Sequence, residues 1–506
     1  MEENKREKEY LKKIENKKLK KFQEFTILNF SAGSTLVIFI LLLFNSYNII
    51  ENKLNIFTLC IAAVYLLEAL LQFLYLKIAK KQILSNGEIN KKGRKIGFLF
   101  ISFVCTGNIF AAISGFTILK QDRTIEYTLN IYSIINSIAI MMVTSLNLFK
   151  DYVSNTFVIG FYLLIGFTLF YIFSIIMISK YIKGKKVDKK LIPIAILLII
   201  SSCMGNVFSL LTGVIIFTKI RHKEQERSIE WIDVLERLFR NNMAVIGMLV
   251  VIFLISLSIS SSLTFDYSMA IDNNYSEILK PISLNFPFGT DNYGRCVFTR
   301  IVFGARISLI IGLCVTILPM IIGGSLGAIA GYYGGKIDNI IMRLLDVQYA
   351  IPDILLAIAI IAAFGASTVN LVIALSIGSI ATYARTVRAT VLGLSNAEFV
   401  EAARACGAKD QVIIFKHIIP NSLAPIIVRA TMGIGTAVLA TSSLSYLGLG
   451  VEPYVPEWGN ILKIGSKYLE SNPYLAIFPG LAIIVLVLAF NFFGDGLRDA
   501  LDPKLK

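Results

Sequence analysis

The sequence has few of the side chains on which enzymes and metal sites depend. Only two histidines occur in 506 residues, and no group of His and Cys has the spacing of a zinc site. The phosphate-binding pattern G-x-x-x-x-G-K-[ST] is absent, because the one Gly-Gly-Lys run is followed by Ile337. We therefore expect no covalent catalysis, no metal or other cofactor bound by this chain, and no ATP bound through such a loop.

The cysteines are too few and too scattered for a disulfide framework. Only Cys296 is expected to lie outside the membrane, and it has no partner there. The other five lie in apolar segments or in a polar loop: Cys60, Cys105, Cys203, Cys314 and Cys406. We interpret all of them as small apolar side chains.

Charge is also scarce. Charged residues make up 16% of the chain and hydrophobic residues 55%, whereas a soluble protein carries about 25% charged residues. Many apolar runs are long enough to cross ~30 Å of hydrocarbon, so we expect an all-α polytopic membrane protein in contact with lipid. The net charge of +15 does not indicate nucleic acid, because the basic residues lie in short loops and tails, as the positive-inside rule predicts.

The first part of the chain contains an internal repeat. After a basic tail at 1–24, expected in the cytoplasm, six apolar segments lie near 25–48, 54–76, 96–119, 127–149, 156–179 and 191–218. CTGNIFAAISG at 105–115 matches CMGNVFSLLTG at 203–213 without a gap. We interpret 25–220 as a duplicated three-segment region, with copies at about 25–119 and 127–219; chance similarity between apolar helices is the alternative.

The duplication leaves the topology open. Six full spans would invert the second copy and place the lysines of 180–190 outside, against the positive-inside rule. If the two Cys-x-Gly-Asn segments entered the membrane and returned, every lysine-rich loop would be cytoplasmic. Apolar runs of this length usually span, and unpaired backbone in lipid is costly, so we favour six spans. Glu68, the one acid buried in this half, is interpreted as a helix–helix contact rather than a relay.

The second part begins with a basic linker at 221–241, whose apolar residues recur at helical spacing and predict an amphipathic helix on the inner membrane surface. Six more spans are expected within 242–506, near 243–263, 307–331, 345–365, 369–391, 422–446 and 474–493. The total is then about twelve. With a cytoplasmic start, the loop 394–421 and the C-terminal tail are cytoplasmic.

The loop contains the most distinctive polar stretch, EAARACGAKDQVIIFKHIIPN at 401–421. It predicts a short helix, a break at Gly407, a second short helix over 411–416 and a restart at Pro420, because Gly permits a reversal and Pro suits a first helical position. The small side chains at 402 and 403 leave one helix face nearly flat, so that another protein could approach closely.

Several motifs resemble those of one family. The spacing of E-A-A, Gly and the apolar-Pro end is similar to the EAA loop of ABC importer permeases, and 417–421 resembles the oligopeptide/dipeptide branch. FPFGTDNYGRC at 286–296 resembles H-P-F-G-T-D-x-x-G-R-D of the C-type permeases, with Phe286 and Cys296 in place of His and Asp. Lys409 replaces a small hydroxyl residue, and Asp410 is expected to cap the second helix instead.

The resemblance runs from about 230 to the C-terminus and leaves 1–220 without a counterpart. It implies a plasma-membrane permease subunit that forms half of a translocation pathway for peptides, with both termini cytoplasmic. The implied partners are a second permease, two ATPase subunits that use ATP, and an extracellular substrate-binding protein. The expected coupling residues are Glu401, Ala402, Ala403, Gly407, Phe415, Lys416, His417 and Pro420. The extracellular motif comprises Gly289, Thr290, Asp291, Gly294 and Arg295.

Alternatives remain open at this point. The substrate could be nickel or a metal chelate, and the second permease could be a different subunit or a second copy. A non-ABC ion-coupled carrier is a further alternative, although the second half has no Asp or Glu deep in any span, where such carriers usually place them. Residues 1–220 could form a sensing or assembly module beside the transport role.

Overall fold

A computed structural model describes residue 19 and residues 22–48, 53–54, 56–119, 124–150, 153–183, 186–221 and 229–502. Most of the basic tail and residues 222–228 of the linker lie outside the described residues. The chain folds as two compact units. The first comprises 1–142, 168–199 and 208–223, and the second comprises 143–167, 200–207 and 224–506.

The N-terminal half is built from long helices separated by short turns. Its helices are α1 Gln23–Asn45, α2 Ile56–Asn86, α3 Lys91–Arg94, α4 Gly97–Ser102, α5 Ile109–Leu119, α6 Ile125–Ser145, α7 Phe157–Tyr181, α8 Ile192–Ser201 and α9 Val207–Arg221. Short 3₁₀ turns follow α4, α6 and α8 and precede α8. Two antiparallel strand pairs connect neighbouring helices: β1 Tyr47–Asn48 with β2 Lys53–Leu54, and β3 Ile182–Lys183 with β4 Lys186–Val187.

Between residues 229 and 502, the described part of the C-terminal half, the regular elements are helices. They are α10 Ile229–Leu238, α11 Asn242–Thr264, α12 Ser268–Ile271, α13 Val297–Tyr333, α14 Gly335–Tyr349, α15 Asp353–Phe364, α16 Thr368–Leu394, α17 Glu398–Ala405, α18 Asp410–Val412, α19 Ile419–Asn421, α20 Leu423–Leu447, α21 Trp458–Ser466 and α22 Tyr474–Leu501. The amphipathic helix expected in the linker is α10, of which Trp231 is 57% exposed.

Nine helices in the described residues are long and apolar enough to cross a membrane: α1, α2, α6, α7, α11, α13, α16, α20 and α22. α14 and α15 are bent by 78° where they meet, and they raise the number to ten if they form one span. The chain is therefore a polytopic, all-α membrane protein, as the sequence predicts. When α14 and α15 are counted as the span expected near 345–365, the difference from the expected twelve lies in the segments 96–119 and 191–218.

Both of these segments are broken in the middle by a glycine with positive φ, 84° at Gly107 and 85° at Gly205. The two arms of each segment then pack against each other. A Cβ on Gly115 would lie 2.5 Å from the carbonyl oxygen of Gly97, and a Cβ on Gly213 would lie 2.6 Å from that of Ala195. Each segment thus folds back on itself instead of forming one continuous helix. We name 97–119 hairpin 1 and 192–221 hairpin 2.

Glu68 on α2 is 2% exposed in the first unit. Its carboxylate accepts hydrogen bonds from Thr106 Oγ1 at 2.5 Å and from Asn108 Nδ2 at 2.7 Å, both at the tip of hairpin 1. Asn108 Nδ2 also donates to Thr35 Oγ1 on α1 at 3.0 Å. Both carboxylate oxygens are therefore bonded to the tip of hairpin 1, and Asn108 extends the contact to α1, which supports its interpretation as a contact between membrane segments.

In the second unit, α13 and α16 make the most extensive helix–helix contact. The glycine-rich run of α13 allows it. A Cβ on Gly323 would lie 2.4 Å from the carbonyl oxygen of Ile380, and one on Gly327 would lie 2.2 Å from that of Ala384. Close backbone approach of this kind is how helices pack in lipid, where no hydrophobic driving force exists between them.

Candidate functional site

The loop between α16 and α20 has the break that its sequence predicts. α17 ends at Ala405 with Cys406 as its C-cap, and Gly407 follows with φ 78°. The second helical part differs from the prediction. It begins at Asp410, passes through a π-helical turn at Ile413–Ile418, and continues into α19. The chain is thus helical across Pro420, and the restart expected there is the last turn of this helix.

One side of this loop is an apolar face seated on the ends of the long helices. Val400 of α17 and three isoleucines of the second helix are buried there. They form a single cluster with Ala328 of α13, with two valines of α16 and with Ile426 of α20. The members from the loop and from α16 are Val400, Ile413, Ile414, Ile418, Val387 and Val391. The loop is therefore packed against three long helices through one buried cluster.

Tyr332, at the end of α13, joins the two helices of the loop. Its hydroxyl donates to Asp410 Oδ1 at 2.8 Å and accepts from Arg404 Nη2 at 3.2 Å. The expectation that Asp410 caps the second helix is wrong, because no side chain caps that helix at Lys409 and the Asp410 carboxylate is used by Tyr332. Sequence reasoning missed Tyr332, which lies 72 residues before Arg404 and belongs to no motif.

The opposite side of the loop is exposed and partly apolar. Phe415 is 54% exposed, Val412 41% and Phe399 38%. Most of the predicted coupling residues share this exposure: Glu401, Ala402, Gly407, Phe415, Lys416 and Pro420. Ala403 and His417 are half-buried, and Ala403 packs against the buried cluster. Ala402 and Ala403 therefore do not form the one flat exposed face that the sequence predicts. Of the two, only Ala402 is open to an approaching partner.

Two basic residues near the loop are occupied within the unit. Arg388 of α16 pairs with Asp338 of α14 through Nε and Nη2, each 2.5 Å from a carboxylate oxygen. Arg385 pairs with Asp346 at 2.6 Å, and its guanidinium lies 4.0 Å from the centre of the Tyr349 ring. Both arginines tie α14 to α16, which favours a role within the membrane domain over contact with another protein.

The residues of the predicted extracellular motif lie together in a compact turn before α13. Asp291 accepts from the backbone N–H of Arg295 at 3.0 Å and from its Nε at 2.8 Å. Thr290 Oγ1 accepts from the N–H of Lys280 at 2.8 Å. A Cβ on Gly294 would lie 1.7 Å from the carbonyl oxygen of Asn274, and one on Gly289 would lie 2.5 Å from a carbon of the Tyr474 ring. Thr290, Asp291 and Arg295 are buried, so the motif organises the loop and offers little surface to a partner.

Cys296, which replaces the family's Asp, stands at the N-cap of α13 and is 1% exposed. Its side chain caps nothing. Arg300 lies one turn further on. Its Nε is 3.8 Å from Asp291 Oδ2, but neither Nε nor Nη2 has a hydrogen-bond acceptor among the described residues.

We expect Cys296→Asp to raise the melting temperature of the purified protein. An aspartate there would cap α13, a contribution of about 1 kcal/mol, and would place a carboxylate beside Arg300. The matched variant Cys296→Asn can cap but carries no charge. A gain for Asp above that for Asn identifies pairing with Arg300, and a loss for both would show that the site has no room for a polar cap.

Comparison with known proteins gives the family. Residues 323–506 match the family described as "Binding-protein-dependent transport system inner membrane component", and 230–281 match "N-terminal TM domain of oligopeptide transport permease C". The dipeptide transport system permease protein DppC of Alkalihalophilus pseudofirmus is 46% identical over 276 residues, covering 54% of this chain and 90% of that protein. The glutathione transport system permease protein GsiD of Pectobacterium atrosepticum is 44% identical over 276 residues, covering 54% and 92%.

Among solved structures, a chain of the inward-facing MetNI methionine ABC transporter is 22% identical and covers 40% of this chain and 96% of its own length, at a TM-score of 0.34. This similarity is too low to support a comparison of the folds. The sequence relatives nevertheless match along nearly their whole length, in the part of the chain where the motifs lie. This protein therefore belongs to the membrane permease subunits of ABC importers, in the C-type branch of the oligopeptide/dipeptide type.

Proposed function

We propose that this chain is the permease subunit of a peptide importer and that it is driven by cytoplasmic ATPase subunits through its loop at 394–421, which we name the coupling loop. One observation carries the proposal: the loop has a buried apolar face on α13, α16 and α20 and, on its other side, the exposed side chains of Phe399, Val412 and Phe415. Exposed large apolar side chains on a polar loop are suited to contact with a partner protein. A partner that moves the loop would move the three helices with it.

The proposed coupling role implies several partner proteins. Two ATPase subunits in the cytoplasm would bind and hydrolyse ATP, so that this chain binds no nucleotide or metal. A second permease, similar to this one or different from it, would complete the pathway, and an extracellular protein would deliver the substrate. The protein would lie in the plasma membrane with both termini in the cytoplasm, as the distribution of Lys and Arg favours.

Peptides are the substrate that the relatives support, because their names describe dipeptide and glutathione transport. Nickel or a metal chelate remains the second candidate, and the extracellular binding protein would largely decide between them. The ion-coupled carrier is no longer a candidate, since the chain belongs to a family of ABC importer permeases.

The coupling role is tested by Gly407→Val in the importer assembled with its ATPases. Valine at a positive φ is strained by about 1–2 kcal/mol, which corresponds to a 5- to 30-fold shift of an equilibrium. We expect α17 and the second helix to change their angle, so that ATP hydrolysis continues while substrate uptake falls by a similar factor. Both rates are measured in proteoliposomes.

Gly365→Val is the control for general backbone strain, and it is a demanding one, because Gly365 has φ 88° and ψ 157°, a region that essentially only glycine adopts. A Cβ there, as at Gly407, would meet nothing within 4 Å, but Gly365 lies between α15 and α16, away from the loop. Equal loss of uptake in both variants would attribute the effect to general strain, and unchanged uptake in Gly407→Val would contradict the coupling role of this turn.

A further inference from the structure

The tip of hairpin 2 belongs to the second unit, and its contact with α11 fixes how deep the tip lies along that helix. A Cβ on Gly205, at the hairpin tip, would lie 2.7 Å from Ser256 Cα, and Ser256 Oγ donates to the carbonyl oxygen of Gly205 at 2.7 Å. Ser256 is fourteen residues after Asn242 and eight before Thr264, or about 21 Å and 12 Å along the helix. The tip therefore lies inside the span of α11 and does not reach its end.

The arms of hairpin 2 are also too short to cross. α8 has 10 residues and α9 has 15, which gives about 15 Å and 22 Å against ~30 Å of hydrocarbon. The backbone at the tip is not left exposed to lipid, because the Gly205 carbonyl is bonded to α11. Non-helical backbone at membrane depth is tolerated only when protein covers it in this way.

The turn between α6 and α7 lies at the C-terminal end of α11. Asn147 Nδ2 donates to the carbonyl oxygen of Thr264 at 2.6 Å, and Lys150 Nζ donates to Thr299 Oγ1 at 2.9 Å. Lys150 Nζ also lies 5.5 Å from the centre of the Phe265 ring. The loss of water around the Lys150 ammonium in this turn lowers its pKa. Early in α7, a Cβ on Gly160 would lie 3.0 Å from Thr264 Cγ2.

α13 relates this end of α11 to the coupling loop. Thr299, which receives Lys150, is near the beginning of α13, whereas Tyr332, which holds the loop, is near its end. The 37 residues of α13 extend for about 55 Å, more than the thickness of a membrane. The α6–α7 turn and the coupling loop are therefore on opposite faces. α7 begins at this turn and has 25 residues, about 37 Å, which is long enough for the chain to cross to the opposite membrane face.

We propose that residues 23–221 are two parallel copies, each made of two spans and one hairpin that enters from the cytoplasmic face and returns to it. The lysine-rich loops at 77–95 and 180–190 then both lie in the cytoplasm, which removes the conflict with the positive-inside rule. The inference rests on the proposed function in one respect, the cytoplasmic position of the loop at 394–421.

The two hairpin tips occupy equivalent places. A Cβ on Gly107 would lie 3.3 Å from Met142 Cε on α6, and one on Gly205 would lie 3.2 Å from Ile259 Cβ on α11. Met142 and Ile259 are each seventeen residues after the first residue of their helix. The tip of each hairpin thus contacts the first membrane span that follows it in the chain. α11, the first permease span, contacts hairpin 2 as α6 contacts hairpin 1. The tip of hairpin 2 thus supports α11 inside the membrane, and we call this contact the brace.

The topology is tested with an impermeant maleimide on right-side-out membrane vesicles, using single cysteines in a background without the six native ones. Asn155→Cys and Lys189→Cys report on the two sides of α7, and both positions are exposed. We expect Asn155→Cys to be labelled in intact vesicles and Lys189→Cys to be labelled only after the membrane is opened. Six full spans require the reverse pattern, which would overturn the inference.

Two controls separate this inference from the proposed function. Ser276→Cys, in the loop before α13, should be labelled in intact vesicles, and Ser395→Cys, at the coupling loop, should be protected. Labelling of Lys189→Cys with Ser395→Cys still protected would overturn only the parallel copies. Labelling of Ser395→Cys would overturn the side on which the proposed function places the coupling loop.

The brace is tested by Gly205→Ala against Gly107→Ala in the full chain. Both glycines have the same positive φ, so the backbone strain is matched. A Cβ at 205 meets the backbone of α11 at 2.7 Å, whereas one at 107 meets only flexible side-chain ends, 3.3 Å and more away. We expect a clearly larger drop in melting temperature for Gly205→Ala, and equal drops would contradict the seating of hairpin 2 on α11.

Discussion

Replacing Gly327 with alanine is expected to separate α13 from α16 and to lower both the yield of folded protein and its transport. The added Cβ would lie 2.2 Å from the carbonyl oxygen of Ala384, and within 3.0 Å of two more backbone atoms of that residue. Backbone cannot move aside as a side chain can. Overpacking of a tight core costs about 1–3 kcal/mol, and we expect the upper end here. Size-exclusion profiles and melting curves in detergent measure the effect.

Gly324→Ala is the matched control, three residues earlier on the same helix. A Cβ there has one neighbour within 4 Å, Val387 Cγ2 at 3.7 Å, which is an ordinary contact. Since alanine favours a helix over glycine by about 1 kcal/mol, this variant should be as stable as the natural protein or slightly more stable. Similar losses in both variants would mean that the close approach at Gly327 has no special role.

The second large effect is expected from Phe415→Ala, which removes the most exposed aromatic side chain of the coupling loop. Truncation of a central aromatic anchor commonly costs an interface about 2 kcal/mol or more, or about 30-fold in affinity. Because Phe415 is 54% exposed, the fold of this chain should be unaffected. Uptake and co-purification of the ATPase subunits should both fall, while the melting temperature of the isolated chain stays unchanged.

Phe364→Ala serves as its control. Phe364 is 75% exposed at the end of α15, so the same side chain is lost from a surface that the account gives no role in coupling. Retained co-purification and uptake in Phe415→Ala, or equal losses in both variants, would contradict a docking role for Phe415.

Much of the membrane domain could be predicted from the sequence because its signals are local. Long apolar runs predict spans, the glycine-rich run of α13 predicts close helix packing, and ordered motifs predict the family. The hairpins could not be predicted in this way. Hydropathy measures only how apolar a segment is, and 96–119 and 191–218 are as apolar as true spans. Their reversal depends on positive φ at Gly107 and Gly205 and on protein that covers the tips.

In the coupling loop, too, local features could be predicted from the sequence and long-range contacts could not. The break at Gly407 follows from the residue itself and was predicted correctly. Which alanine is exposed, and which group receives the Asp410 carboxylate, depend on contacts with α13 and α16 far away in the sequence. Tyr332 illustrates this limit, because its importance comes only from its position beside Arg404 and Asp410 in the folded chain.

Disulfide trapping between the coupling loop and the ATPase subunits in native membranes tests directly whether this loop docks on the ATPases. Ala402→Cys, on the exposed side, is combined with a panel of single cysteines on the ATPase surface, with Cys406 replaced. Ile414→Cys, which is 2% exposed, is the control on the buried side. If the exposed side of the coupling loop docks on the ATPases, we expect cross-links from position 402 and none from position 414. No cross-link from position 402 across the whole panel, in a complex that still co-purifies, would contradict it.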